Sequence, residues 1–286
     1  MRQIRLFLEM IKFEHTVFAL PFAYLGMLFA QGGWPPWRVF FWITVAMTSA
    51  RTYAMAINRI VDLPFDAKNP RTAERPLVTG AIKGKVAWAA VFLSLGLFLL
   101  SAHELGSLPL RLSPIALVFL TGYHFTKRFT WLSHFILGFT DGLAPVGAWV
   151  AVKGSLFSHG DIPAWILLGT VTFWIAGFDL IYACQDVEVD RRDHLHSVPA
   201  DFGITMALGI SSLCHGLTVL GLVLLGLWMR LGWPFWVGVG VSAALFLHEH
   251  RIVSSEDLSQ VNVAFFNING YISVLLFLST FVAIIL

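Results

Sequence analysis

"NRIVDLPFDAKNPRTAERPL" spans Asn58–Leu77 and decides how the rest of the chain is read. It gathers Asp62 and Asp66, the cations Arg59, Lys68, Arg71 and Arg75, and the prolines Pro64, Pro70 and Pro76. On both sides of it the chain turns apolar for about 20 residues at a time. Of the 286 residues, 57% are hydrophobic and 13% are charged, with a mean hydropathy of +0.74. Soluble domains carry about 25% charged residues. The class is therefore all-α and polytopic, and the polar stretch marks a membrane boundary. The length allows about eight to ten spans, since each needs roughly 20 residues and a loop.

Apolar runs fall at 13–30, 38–58, 86–103, 112–126, 131–152, 162–182, 204–228, 232–248 and 265–286. These predict a single domain over 1–286, built as a bundle of about nine transmembrane helices. Breakers such as "QGGWPP", "ELGSLP" and "RLGWP" separate them. The fourth run is short for a full crossing and predicts a tilted or locally thinned span. No run alternates in polarity, which excludes a β-barrel reading.

Lysine and arginine placement sets the orientation. With a cytosolic N-terminus, the cytosolic segments hold Arg2, Arg5, Lys12, Arg59, Lys68, Arg71, Arg75, Lys83, Lys85, Lys127, Arg128, Arg191, Arg192 and Arg251. The opposite side holds only Arg38, Arg111, Lys153 and Arg230, and Arg51 lies inside the second span. This asymmetry follows the positive-inside rule. The basic, then apolar, N-terminus imitates a signal peptide, but the run continues without a small-residue cleavage site, so the first helix is read as retained. Cys184 and Cys214 lie in apolar surroundings without metal spacing, and read as small buried hydrophobes.

Two ladders of polar residues stand at the cytosolic boundary. One is Arg51, Asn58, Asp62 and Asp66; the other is Asp179, Asp186 and Asp190, with Tyr182 on its face. Steps of seven and four keep side chains on one face of a helix. Two aspartates at i and i+4 repel by a few tenths of a kcal/mol. Choosing that arrangement twice calls for a cation. Oxygen ligands without histidine or cysteine suit magnesium, which keeps waters and bridges carboxylates to phosphates. Asp62, Asp66, Asp186 and Asp190 are the expected ligands. Arg71 and Arg75 follow the first pair, Arg191 and Arg192 the second, and Lys127 and Arg128 lie between. Carboxylates for metal beside cations for anionic oxygens describe a diphosphate site. Pro64 would clash with the carbonyl of Ile60, so the first ladder is expected to break there.

"NRIVDLPFDAKNPRTAERPL" and "DLIYACQDVEVDRRDHLHSVP" resemble the two signature loops of the UbiA superfamily of intramembrane prenyltransferases. The family pattern is Asn-Asp-x-x-Asp-x-x-x-Asp followed by Arg-Thr-x-x-Arg-Pro-Leu, and later Asp-x-x-Tyr-Ala-x-x-Asp-x-x-x-Asp. "YHFTKRFT" at 123–130 resembles a third loop that supplies a lysine to the diphosphate. One departure stands out: Arg59 occupies the place of the pattern's first aspartate. The opening "MIKFEHTVFALPFAY" and the "NR…NPRT" variant resemble the 4-hydroxybenzoate-type branch, which includes enzymes that prenylate 1,4-dihydroxy-6-naphthoate for menaquinone.

The resemblance implies magnesium-dependent transfer of a prenyl chain from a polyprenyl diphosphate to an aromatic acid within the bilayer. Asp62, Asp66, Asp186 and Asp190 would hold the metal, Asn58 would orient a ligand or a diphosphate oxygen, and Arg71, Lys127 and Arg191 would neutralise the leaving group.

Other polar positions carry open alternatives. Arg51 and Asp141 lie inside spans, where ionisable groups are functional candidates. Arg51 meets an acceptor carboxylate or pairs with Asp179; Asp141, in the glycine-rich and expectedly broken "GFTDGLAP", orients or deprotonates the acceptor. His15 lines the site or sits at the interface. Asn262, Asn267 and Asn269 read as capping and interhelical hydrogen bonds. Competing readings are transfer to a non-aromatic or tetrapyrrole acceptor, and a divalent-cation transporter. Against the transporter, the carboxylates cluster at one boundary beside arginines. No nucleic-acid motif or phosphate-cradling glycine loop occurs, and nothing in the sequence points to a protein partner.

Overall fold

The computed structural model describes residues 2–286, excepting the side chains of residues 2 and 14–18. The expectation for His15 lies outside the described residues. The helices are α1 (Arg2–Met10), α2 (Phe13–Gln31), α3 (Trp37–Val61), α4 (Leu63–Asp66), α5 (Gly84–Leu105), α6 (Ser107–Thr126) and α7 (Ser133–Lys153). They continue as α8 (Ile162–Ala183), α9 (Val187–Arg192), α10 (Val198–Phe202), α11 (Ile204–Trp228), α12 (Trp233–Ile252) and α13 (Asn269–Ile285). Short 3₁₀ turns cover His159–Asp161 and Cys184–Asp186, and a π-helical turn covers Val263–Ile268. No strand occurs among the described residues.

The long helices α2, α3, α5, α6, α7, α8, α11, α12 and α13 coincide with the apolar runs of the sequence. Among the described residues, five stretches are long and apolar enough to cross a membrane: Gly84–Leu105, Ser133–Lys153, His159–Arg192, Ile204–Trp228 and Val263–Ile285. Leu93, Val118, Leu213 and Leu247 stand exposed on these and neighbouring helices. Such faces suit lipid, and the chain is an integral membrane protein.

The chain divides into two compact units, residues 1–20 with 36–125, and residues 21–35 with 126–286. In the first, α3 packs along α5 through Tyr53, Ala56, Ile57, Ala90 and Val91, with Leu117 and Leu120 of α6 alongside. The Tyr53 hydroxyl lies 2.8 Å from that of Thr121. A second cluster joins Met10, Ile11 and Met55 to Leu77, Ile82 and Ala87. It fastens the polar segment after Asp66 to the ends of the helices.

In the second unit, α7 and α11 both pack on α8. Lipid is as apolar as leucine, so this contact depends on close van der Waals approach rather than on the hydrophobic effect. Gly138 shows how close: a Cβ there would land on the carbonyl of Thr172. A helix carrying a larger residue at 138 would have to move away from α8. Trp174, Leu180 and Ile181 of α8 are fully buried. Cys184 and Cys214 are buried and unbridged, within one apolar cluster, as their surroundings predict.

Four local expectations resolve here. The break at Pro64 is present: α3 ends at Val61, and Pro64 sits in the first turn of α4, where its missing N–H costs nothing. The bounds of the fourth run are a correction, because α6 starts at Ser107 and runs 20 residues. Gly106, at φ 132, is the one residue between α5 and α6, so "ELGSLP" ends one helix and opens the next. "GFTDGLAP" is a second correction, since α7 is unbroken there and its glycines serve the approach to α8. The third is the second ladder, which is not one continuous α-helix; a 3₁₀ turn at Cys184–Asp186 separates α8 from α9.

Candidate active site

The first carboxylate segment lies wholly in the first unit. Asn58, in the last turn of α3, is its hub. Arg59 is buried, and its Nη1 donates to Asn58 Oδ1 at 2.9 Å while its Nε donates to the Met10 carbonyl at 3.1 Å. A guanidinium can only donate, so it fixes which end of the Asn58 amide is oxygen. The Nδ2 group is thereby directed to Asp62 Oδ2 at 2.6 Å and to His124 Nδ1 at 3.2 Å. Asn58 thus donates to the Asp62 carboxylate, and Arg59 holds the Asn58 amide in that orientation.

Asp66 is buried at the end of α4. Arg75 Nη1 reaches its Oδ2 at 2.6 Å, and the Thr72 hydroxyl donates to its backbone carbonyl at 3.0 Å. Pro70 and Pro76 interrupt the helix-forming pattern, so this stretch turns back on itself and brings a cation nine residues away onto the carboxylate. Arg71 is exposed on the same turn, its backbone N–H held by Asn69 Oδ1.

The second carboxylate segment lies wholly in the second unit. Asp186 and Asp190 are both buried, four residues apart across the junction of the 3₁₀ turn with α9. Ser197 donates its hydroxyl to Asp190 Oδ2 at 2.9 Å and accepts the Ala200 N–H as the cap of α10. Lys127 Nζ lies 3.6 Å from the same carboxylate oxygen, and the Lys127 carbonyl accepts the His196 N–H. Lys127 is thus brought to the second motif from 63 residues upstream.

Asp179, one candidate partner for Arg51, accepts a 2.6 Å bond from His134 Nδ1. The Val198 N–H points at His134 Nε2 (3.3 Å), so Nε2 accepts and the proton sits on Nδ1. His134 is fully buried and ties α7, α8 and α10 together. Arg191 donates from Nε to the Ala200 carbonyl at 2.8 Å, which fixes the chain after α9. Asp141 and Arg51 are half-buried within α7 and α3.

Tyr182 stacks against the π-helical turn: its ring centroid is 4.2 Å from that of Phe265 and 6.2 Å from that of Phe266. Of the three asparagines, Asn262 makes no side-chain cap, whereas Asn269 bonds between helices to Glu249 and to Trp174.

Sequence reasoning missed His124, His134, Ser197 and the positioning role of Arg59. "YHFTKRFTWLSH" carries both histidines beside the lysine loop, and that proximity was the available signal.

Among the described residues, no group of three or more His, Cys, Asp or Glu side chains is gathered to hold a metal ion. Each segment, taken by itself, offers two carboxylates beside cations. A pair of hard oxygen ligands fits magnesium, which completes its shell with waters and phosphate oxygens.

The pattern of the UbiA prenyltransferase family matches residues 19–271. The 4-hydroxybenzoate octaprenyltransferase of Methylobacillus flagellatus is 31% identical over 245 residues, covering 85% of this chain and 81% of that protein. The apo structure of a UbiA homolog from Aeropyrum pernix superposes with a TM-score of 0.86 at 32% identity, covering 94% of this chain and 98% of that one. A UbiA homolog from Archaeoglobus fulgidus, bound to DMAPP and Mg2+, shares the fold, with a TM-score of 0.76 at 19% identity over 98% and 99% of the two chains. This chain belongs to the UbiA family and is a membrane-embedded prenyltransferase.

Proposed function

We propose that the chain transfers a polyprenyl group from polyprenyl diphosphate to an aromatic acid of the 4-hydroxybenzoate or 1,4-dihydroxy-6-naphthoate type, in quinone biosynthesis. The observation that carries this reading is the pairing of two buried or half-buried aspartates with cations in each of the two motifs. The match to a relative named for 4-hydroxybenzoate supports the acceptor class. The Archaeoglobus fulgidus homolog, of the same fold and bound to DMAPP and Mg2+, supports the donor and the metal.

Asp62 and Asp66, with Asp186 and Asp190, would hold magnesium. When bound, it supplies Lewis acidity that makes diphosphate a better leaving group. Lys127 and the arginines at 71, 75 and 191 would neutralise oxygens of the departing diphosphate. The C–O bond of the allylic diphosphate breaks, and its electron pair leaves with the diphosphate. The aromatic ring then attacks the allylic cation, a C–C bond forms, and a ring proton is lost. Apolar walls keep water from the cation until the ring reacts. Asn58 keeps Asp62 directed, and Arg51 and Asp141 remain candidates for meeting the acceptor.

Nine crossings with a cytosolic N-terminus and a cytosol-facing site complete the proposal. The excess of lysine and arginine at one set of boundaries supports that orientation.

Asp186→Asn tests the reading, because it removes charge without changing size. Membranes carrying the native chain, given geranyl diphosphate, magnesium and 4-hydroxybenzoate or 1,4-dihydroxy-6-naphthoate, should release diphosphate and form a product heavier than the acceptor by one geranyl group. The variant should lose the magnesium-dependent release. Unchanged turnover would overturn the metal assignment, and a non-aromatic product would overturn the acceptor.

A further inference from the structure

α13 is entered through a π-helical turn, Val263–Ile268. Such turns are rare, cost hydrogen-bond geometry, and concentrate at functional sites. This one is held by a purpose-built set of partners. Asn269 Nδ2 donates to the Ala264 carbonyl at 2.9 Å and to Glu249 Oε1 at 3.1 Å. Its Oδ1 accepts the indole N–H of Trp174 at 2.7 Å. Asn269, Glu249 and Trp174 are all buried. An asparagine in a membrane helix is thereby fully satisfied, and its amide reinforces the widened turn from within.

The turn presents two aromatic rings. Phe265 lies 4.2 Å from Tyr182 and 5.0 Å from Phe178, measured between centroids. Phe266 stands 4.6 Å from Phe265 at 83°. Tyr182, Phe265 and Phe266 are half-buried. Tyr182 is one turn before Asp186 on the same chain segment. Phe178, Tyr182, Phe265 and Phe266 therefore form one aromatic cluster of edge-to-face and tilted contacts, tied through Tyr182 to the segment that carries Asp186.

The geometry points to Phe265 and Phe266, with Tyr182, as the aromatic face over which the allylic cation is held, and to Asn269 as the positioning residue that sets that face. This rests on the prenyl-transfer reading. The reacting carbon turns positive when the C–O bond breaks and the electron pair departs with diphosphate. A ring face attracts a cation, and most strongly where water is excluded. Two fates compete for the cation: the acceptor ring forms a C–C bond and loses a proton, or water forms a C–O bond, loses a proton and yields prenyl alcohol. An aromatic wall at this place slows the second fate and speeds ionisation.

The experiment uses the full-length chain in membranes, with geranyl diphosphate, magnesium and 4-hydroxybenzoate, and a parallel arm without acceptor. Phenylalanine at 265 is replaced by its mono-, di- and trifluorinated analogues, which keep shape while withdrawing π-electron density. The expected result is a stepwise fall in kcat for diphosphate release, about tenfold across the series. KM for geranyl diphosphate should stay within about twofold. Phe265→Leu should match the trifluorinated protein and raise the ratio of geraniol to prenylated product, and Phe265→Tyr should retain activity. Asn269→Leu should shift the same ratio in the same direction, and combining it with Phe265→Leu should add little further loss. A rate indifferent to fluorination, or a leucine variant with native kcat and native geraniol ratio, would overturn the inference while leaving the prenyltransferase reading intact. A native chain that releases no diphosphate from geranyl diphosphate in either arm would instead overturn that reading, and this inference with it.

Discussion

The two carboxylate segments share a spacing and differ in their wiring. In Asn58–Arg75, both carboxylates are tied by short bonds to neighbours in the same segment: Asp62 to Asn58 and Asp66 to Arg75, each at 2.6 Å. In Asp179–Ala200, Asp190 is held by a serine hydroxyl at 2.9 Å, with the ammonium of Lys127 further off at 3.6 Å. A carboxylate has about four lone-pair sites, so neither arrangement blocks a metal. But a cation arriving at Asp66 competes with a guanidinium already in contact, whereas one arriving at Asp190 competes with a neutral hydroxyl and a loosely placed lysine. On the proposed reading, the second segment would take the metal directly, and the first would have to exchange partners.

The sharpest way to break this comparison is to neutralise one carboxylate in each segment. Asp190→Asn should lower magnesium-dependent diphosphate release about 10³-fold, a loss of roughly 4 kcal/mol of transition-state stabilisation. Asp66→Asn should lower it about 10²-fold, because the substitution also releases Arg75 to face the diphosphate. Both are read as kcat at saturating geranyl diphosphate over a magnesium titration. Equal losses, or the reverse order, would mean that the wiring seen without metal does not govern binding.

Arg75 sharpens the same point through stability. Asp66 is buried, and removing its guanidinium leaves a carboxylate without its closest partner. Arg75→Ala should cost about 2 kcal/mol, less than a fully buried pair would, since the Arg75 side chain is 23% exposed. Thermal unfolding of the membrane-extracted protein measures it. The native Tm should also depend on magnesium with geranyl diphosphate, since ligands that bind only the folded state stabilise it. Arg75→Ala should narrow that gain.

Arg59 comes next in size. Its guanidinium makes a fork between the Met10 carbonyl and Asn58, which lysine cannot reproduce with one compact ammonium. Arg59→Lys should leave the chain folded and let the Asn58 amide rotate. The expected effect is about a fivefold rise in the magnesium concentration at half-maximal rate, with little change in KM for the acceptor. A change confined to acceptor KM would place Arg59 elsewhere in the reaction.

Much of the site was legible as a sequence. The apolar runs, the polar boundary segments and the break at Pro64 follow from residue type and period alone, because each is a local property. The pairing of the cations was not. Arg75 reaches Asp66 across a turn-rich stretch whose path no periodicity describes, and His134 meets Asp179 from 45 residues away. Arg59 reads as a lost carboxylate beside Asn58, yet its buried side chain turns to the Met10 carbonyl, a backbone group no side-chain pattern reveals. The 3₁₀ turn at Cys184–Asp186 and the π-helical turn at Val263–Ile268 lie in uninterrupted apolar or mixed sequence, without the proline that announces the break in the first motif.

Arg191 is the smallest and most discriminating case. By sequence it mirrors Arg71 and Arg75, a cation just beyond a carboxylate pair. The structure gives its Nε to the Ala200 carbonyl at 2.8 Å, so its guanidinium braces the chain between α9 and α10. Only its terminal nitrogens could serve a phosphate, and the exposed side chain sits in a high dielectric, where an ion contact is worth little. Arg191→Ala should therefore raise KM for geranyl diphosphate by no more than about threefold, near 0.6 kcal/mol. Lys127→Ala should raise it more, since that ammonium already stands beside the buried Asp190. If Arg191→Ala exceeds Lys127→Ala, the brace opens when diphosphate arrives, and the second segment exchanges partners just as the first does.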